Sequence, residues 1–136
     1  YRWVGSKSQA IPMLVNKVIK SKKKIKIWGS GKQKRNYLYV TDCAEIMLRI
    51  FLKKYVKSPI NIGYSNTVSI KDLVVEINKL VKKKLQFHYD LNKPEGRFIK
   101  SSDPKLLKKI TSNYKPKVSL SKGLKYMIKW HKISFK

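Results

Sequence analysis

The stretch Ile27-Trp28-Gly29-Ser30-Gly31, followed closely by Arg35-Asn36-Tyr37-Leu38-Tyr39-Val40-Thr41-Asp42, decides how this chain is read. Ile25, Ile27 and Trp28 read as a short strand that the glycine turn stops. Tyr37 to Val40 are β-favouring residues and form a second strand candidate. Thr41 or Asp42 is placed to cap a following helix, whose apolar face would be Ala44, Met47, Leu48, Phe51 and Tyr55. A turn carrying two glycines lets backbone approach a ligand closely, and Arg35 can grip a diphosphate with paired, charge-assisted hydrogen bonds. Arg35 stands out because its surroundings otherwise use lysine. The same residues also fit a hairpin-like loop with a surface arginine, and composition alone does not separate the two readings.

Working upstream, Ile11, Leu14, Val15, Val18 and Ile19 recur at helical spacing from Ala10, with Pro12 tolerated in the first turn. The lysine run Lys20 to Lys26 brings positive charge to the negative end of that helix. Tyr1 to Ser8 has neither an initiator Met nor periodicity, so the chain is expected to begin within a longer one. Downstream, Pro59 closes the second helical region and Ile60-Asn61-Ile62-Gly63 reads as a brief strand. Ser69 with Asp72 approximates a capping box opening a helix with Ile70, Leu73, Val74, Ile77, Leu80 and Val81 on one stripe. Gln86 to Tyr89 reads as a strand, and the residues around Phe98 and Ile99 as another. Asp103-Pro104 resembles a cap with proline at the first helical position. A last helix turns Leu120, Leu124, Met127 and Ile128 inward, with Trp130 nearby. Strands alternating with helices predict an α/β domain.

The chain has 136 residues, suiting one domain, and its 42% hydrophobic content supplies a core. A single cysteine, Cys43, rules out an internal disulfide framework and a cysteine-built zinc cage. No apolar run approaches the roughly 20 residues that span a bilayer, and no signal-peptide pattern opens the chain, so a cytoplasmic location is expected. The net charge of +26 invites a nucleic-acid partner, with Lys20 to Lys26 and Lys82 to Lys84 as its footprint. Only four of the 33 cations are arginine, however, and base readout favours the arginine fork. Most of the charge is read as solvated lysine, and nucleic acid is disfavoured as a partner.

Catalytic constellations are absent from the sequence. His88 and His131 lie far apart without a glycine-framed serine, and each is read as structural. Cys43 follows a helix cap, where the dipole could activate it, but a small buried residue is the better reading. Seven scattered carboxylates give no metal-ligand spacing, and neither a P-loop nor Gly-x-Gly-x-x-Gly after a strand occurs. Tyr126 and Lys129 are three apart, not four, and are rejected as a catalytic pair.

Six segments in order carry a resemblance. Ile11 to Leu14, Ile27 to Gly31, Arg35 to Asp42, Asn61-Ile62-Gly63, Ser69-Ile70-Lys71-Asp72-Leu73 and Lys93-Pro94-Glu95-Gly96 resemble the C-terminal half of extended short-chain dehydrogenases/reductases. Asp103, Tyr114-Lys115-Pro116 and Ser119 to Leu124 continue it, so the likeness runs from about Ala10 to Trp130. These are the NAD(P)-dependent nucleotide-sugar epimerases, dehydratases and reductases. The resemblance implies that residues 1–136 form one small mixed α/β substrate-binding region that lacks most of the Rossmann half.

It also implies roles. Arg35 would bind the nucleotide-sugar diphosphate or ribose, Tyr37 would lie close by, and Ile27 and Trp28 would contact the base. The Lys-Pro-x-Gly segment is similar to that of GDP-fucose synthases and related reductases, which nominates Lys93 for the diphosphate. Arg97 stands where many relatives carry an acid, so the ribose contact credited to that acid lacks its carboxylate. No catalytic residue is expected here, because the family's glycine-rich turn, its Tyr-x-x-x-Lys and their Ser or Thr partner lie upstream of the matched region. The implied cofactor of the intact enzyme is NAD or NADP. The implied partners are a nucleotide-diphosphate sugar, the missing Rossmann half and, for the intact enzyme, a homodimeric mate. An inactive truncated pseudoenzyme is the third reading beside the sugar-nucleotide and nucleic-acid ones.

Overall fold

The computed structural model describes residues 8–53 and 58–134. The chain order is α1 (Ala10–Lys20), β1 (Lys24–Trp28), β2 (Lys34–Arg35), α2 (Val40–Phe51), β3 (Val68–Ser69), α3 (Ile70–Leu80), β4 (Gln86–Asp90), β5 (Ile99–Lys100), α4 (Lys105–Ile110) and α5 (Leu120–Ser134). β1 alternates outward lysines with inward Ile25 and Ile27, as the two-residue period of a strand requires. It pairs in parallel with β4, which sets Ile27 opposite Tyr89 and Trp28 opposite Asp90. In the second sheet β2 lies centrally, antiparallel to β3 and parallel to β5.

The main core lies where α1, α3 and α5 meet the β1–β4 pair. Val15, Val18, Leu73, Val74 and Ile77 are fully enclosed there with Ile25, Ile27 and Leu124. Each such side chain contributes about 1.5–3 kcal/mol by leaving water. α3 starts where the capping box predicts it: Ser69 Oγ accepts the Asp72 N–H at 3.0 Å and donates to the Asp72 carboxylate at 2.6 Å. Buried His131 on α5 reaches Asn16 of α1, Nε2 to Oδ1 at 2.9 Å, so one polar pair ties the two helices.

The C-terminal carbonyls of α1 are satisfied from a distance. Lys83, just beyond α3, donates its ammonium to the carbonyls of Val18 at 3.2 Å, Ser21 at 2.7 Å and Ile19. Lys20 of the lysine run lies in the last turn of α1, as expected, and Lys83 adds hydrogen bonds there; one of the three cations in Lys82–Lys84 is thus engaged by the fold rather than offered to a polyanion.

A second, smaller cluster gathers Ile46, Leu107 and Tyr114 under α2 and α4, with Leu38, Ile50, Ile60 and Ile62 packed against it. Several expectations fail here. Tyr37 to Tyr39 form no strand, Val40 already begins α2, and the ladder is made instead by Lys34 and Arg35. Ile60 to Gly63 pair with no strand among the described residues, and Ile60 and Ile62 pack against the cluster. Asp42 does not cap α2. Its carboxylate is 2% exposed and accepts from the Lys117 N–H at 2.9 Å, the Val118 N–H at 3.0 Å and the Tyr114 hydroxyl at 3.0 Å. The buried face of α2 carries Ile46, while Met47, Leu48 and Phe51 point outward. Tyr55 lies outside the described residues. Cys43 is half-buried, not enclosed. Pro104 holds the cap position of α4, and Asp103 supports it by accepting the Lys105 N–H at 3.0 Å.

Candidate functional site

At the ends of β1 and β4 the chain turns sharply on each strand. Gly29 has φ of +68° and donates its N–H to the Asp90 carbonyl at 2.8 Å. On the facing strand Lys93 donates its N–H to the same carbonyl at 3.2 Å, so both loops spring from one anchor. Trp28, the last residue of β1, is half-exposed on the outward face. The Lys93 ammonium stands 5.9 Å from the centre of its ring, within range of a cation–π contact. Beside them Lys26 pairs with Asp90 at 2.8 Å, and this hydrogen bond holds the Asp90 carboxyl below its usual pKa.

Glu95 binds the two loops together. Its carboxylate accepts from the Ser30 N–H and, at 3.1 Å, from the Ser30 hydroxyl. A Cβ on Gly29 would overlap the Glu95 side chain, so the glycine is needed for this approach as well as for its positive φ. The clasp brings Gly96 close to Arg35, so that a Cβ at position 96 would stand 3.8 Å from the Arg35 Nη2 atom. Arg35 projects from β2, partly exposed, with its other terminal nitrogen on the Lys34 carbonyl at 2.7 Å. The parallel register of β2 and β5 sets Lys100 directly opposite Arg35. Residues so paired share one side of a sheet, which gives this face a second cation.

Trp28 and Lys93 thus meet directly, and Arg35 borders the same Lys93–Gly96 loop at Gly96. Ile27 is placed differently: its side chain is enclosed in the main core and lies on the opposite face of β1 from Trp28. Tyr37 also stands apart. Its ring packs on the main core, and its hydroxyl is buried with no hydrogen-bond partner among the described residues. Burial raises its pKa, opposed by the nearby Arg35 charge. Tyr37 lines a cavity of about 330 Å³ with Tyr39, Tyr126 and Trp130, and also the edge of a wider cleft of about 960 Å³. Tyr39 reaches that cavity by packing on Gly123 of α5, where a Cβ would crowd its ring. Among the described residues no cluster of His, Cys, Asp or Glu could hold a metal ion.

Sequence reading passed over Glu95 and Lys100. Lys100 is one of many lysines, and only the strand register singles it out. Glu95 gives no sign in the sequence of a contact 65 residues away.

The sequence and the fold, taken as a whole, resemble a known class. The NAD dependent epimerase/dehydratase family model aligns with residues 3–63. The chain is 29% identical over 130 residues to GDP-mannose 3,5-epimerase of Arabidopsis thaliana, covering 96% of this chain and 34% of that protein. It is 33% identical over 124 residues to GDP-L-fucose synthase of Sinorhizobium fredii, covering 86% and 38% respectively. The fold superposes on the crystal structure of a GDP-L-fucose synthetase from Naegleria fowleri bound to NADP, with a TM-score of 0.83 at 20% identity, over 94% of this chain and 41% of that one. The architecture is therefore that of part of an extended short-chain dehydrogenase/reductase. Within that class, it is the NAD-dependent epimerase/dehydratase family that the chain resembles, over part of its relatives' length. It spans less than two-fifths of the length of the two curated relatives.

Proposed function

We propose that this chain is the nucleotide-sugar-binding, C-terminal portion of an NAD(P)-dependent epimerase, dehydratase or reductase. The observation that carries the reading is that one loop, Lys93–Gly96, sets the Lys93 ammonium over the Trp28 ring and runs beside Arg35. A planar guanidinium can take two oxygens of a diphosphate at once, while Lys93 and Lys100 add point charges on either side. The exposed face of Trp28 offers a stacking surface for a base. Binding energy gathered on the nucleotide, remote from the reacting carbon, would orient the sugar for chemistry performed elsewhere in the enzyme. Relatives named for GDP-sugars support a nucleotide-diphosphate sugar as the ligand class.

NAD(P) is not assigned to these residues. The chain's glycine turn is filled by the Glu95 carboxylate, an anion set where a pyrophosphate would need bare amides. The contribution of this chain is binding and orientation, and the cofactor, whose nicotinamide exchanges hydride, is left to the remainder of the enzyme. The exposed apolar face of α2, with Val40, Met47, Leu48, Phe51 and Leu52, is the surface we assign to contact with that remainder. No helix among the described residues is long and apolar enough to cross a membrane, which accords with the cytoplasmic placement we infer.

Arg35→Ala in the full-length protein tests the reading. Nucleotide-sugar affinity measured by calorimetry is expected to fall by about 1.5–3 kcal/mol, the range for hydrogen bonds to a charged group. Unchanged affinity would remove Arg35 from the site.

A further inference from the structure

We propose that Glu95 is the positioning residue of the nucleotide site, a latch that holds the Lys93–Gly96 segment across the Gly29–Gly31 turn. The proposal rests on the nucleotide-binding reading above and adds a residue that need not touch the ligand at all.

Both oxygens of the Glu95 carboxylate are committed to Ser30, 65 positions earlier in the chain. The segment's other backbone ties lie at its ends, where Lys93 donates to the Asp90 carbonyl and the Phe98 carbonyl accepts from Lys34. Between them Pro94, Gly96 and Arg97 are exposed, and Glu95 alone is drawn inward. Removing its carboxylate would leave the turn of this loop held only at its two feet. The Lys93 ammonium would then lose its fixed place over the Trp28 ring, and Gly96 its place beside Arg35. A site whose cations must meet a diphosphate together loses affinity when they are ordered only upon binding.

A competing role has the opposite consequence. If the carboxylate merely occupied an amide that a phosphate would otherwise take, removing it would open the site and tighten binding.

The test uses the full-length protein with GDP and UDP as calorimetric probes, and two substitutions that separate reach from charge. Glu95→Gln keeps the reach and an oxygen that can accept the Ser30 N–H. Glu95→Asp keeps the charge but falls a methylene short. The latch predicts that Glu95→Asp and Glu95→Ala weaken binding about tenfold or more, since a lost hydrogen bond to a charged group is worth at least roughly that factor, while Glu95→Gln, which keeps the bond from the Ser30 N–H, stays within about threefold of wild type. Lys93→Ala should cost less in the Glu95→Ala background than in wild type, because the two act as a unit. Without ligand, Ser30 amide exchange should quicken in the Asp and Ala variants and not in the Gln variant.

Binding by Glu95→Ala as tight as wild type, or tighter, overturns the proposal. So does a Glu95→Asp protein that behaves as wild type, since charge and not reach would then matter. A wild-type protein that binds neither GDP nor UDP overturns the nucleotide reading and the positioning role with it, while the Ser30 exchange still decides whether the latch itself exists.

Discussion

The core between α1, α3, α5 and the β1–β4 pair is closed by aliphatic side chains, whereas the cluster under α2 and α4 is closed by a carboxylate. In the first, Val15, Leu73, Val74 and Ile77 meet from separate helices with no accessible surface left, and a neutral imidazole–amide pair is the polar tie between α5 and α1. In the second, few residues are enclosed, and Asp42 gathers three donors from the segment 114–118. Glu45 adds a half-exposed knot around the same place, accepting from Lys117 at 2.7 Å, Arg49 at 2.7 Å and the Tyr114 hydroxyl at 3.0 Å. Burial, then Asp42 and Glu45, drive the Tyr114 pKa upward, so this hydroxyl stays a donor. The contrast teaches that a helix apolar around most of its circumference cannot be satisfied by a small core alone. α2 gives Ile46 to its own cluster and keeps Phe51, 82% exposed, for something else.

The most severe break of this contrast is Asp42→Ala. It leaves the part-buried Lys117 and Val118 N–H groups without their acceptor and the Tyr114 hydroxyl with Glu45 alone, and is expected to cost about 3 kcal/mol, read as a lower urea midpoint. The comparison sharpens if amide protection in 105–118 collapses while β1 and β4 stay protected. Equal loss in both regions would show a single cooperative unit.

Acid should separate the regions next. His131 has its pKa lowered, first by burial and then by Lys20, so the fold prefers the neutral ring. Its contribution is complete above the ordinary value of 6.5 and fades as pH falls below it. Glu45 sits at about 2, held down first by Lys117 and then by Arg49, against an ordinary 4.5. Its contribution is complete above pH 4.5 and is lost on the way down to 2. Acid titration followed by residue-resolved amide signals should therefore show the main core loosening first, and Glu45→Gln should flatten the low-pH response of the second cluster. Simultaneous loss, unchanged by that substitution, would break the distinction.

The smallest effect is expected on the outer face of α2. Phe51→Gln should change the stability of this chain by no more than about 0.5 kcal/mol, because the ring touches little within it. Light scattering should nonetheless report less self-association. A large stability loss would mean that the face is already covered within the chain.

How much of this was legible follows the same division. α3 could be read from Ser69, Asp72 and one clean stripe, and β1 and β4 from alternating side chains, because those signals are local. Tyr37 to Tyr39 misled because aromatic and branched residues favour strands in general. The actual two-residue ladder at Lys34–Arg35 is set by β3 and β5, far away in sequence. Asp42 looked like a cap because caps are local, yet its donors lie 75 and 76 residues on. Of the site, Arg35, Trp28 and Lys93 could be nominated from motif resemblance, while Glu95 could not, since nothing near it in the chain marks its partner.

The β1–β4 pair has a kinetic consequence. Parallel strands cannot be joined by a hairpin, and here everything from the glycine turn through α3 must be spanned before Lys24 can find Gln86. Closing so long a loop precedes any reward from the ladder, so the helices, led by self-capped α3, form early and the sheet late. The glycine turn, whose Gly29 N–H is anchored on β4, takes its final shape only after that pairing is complete.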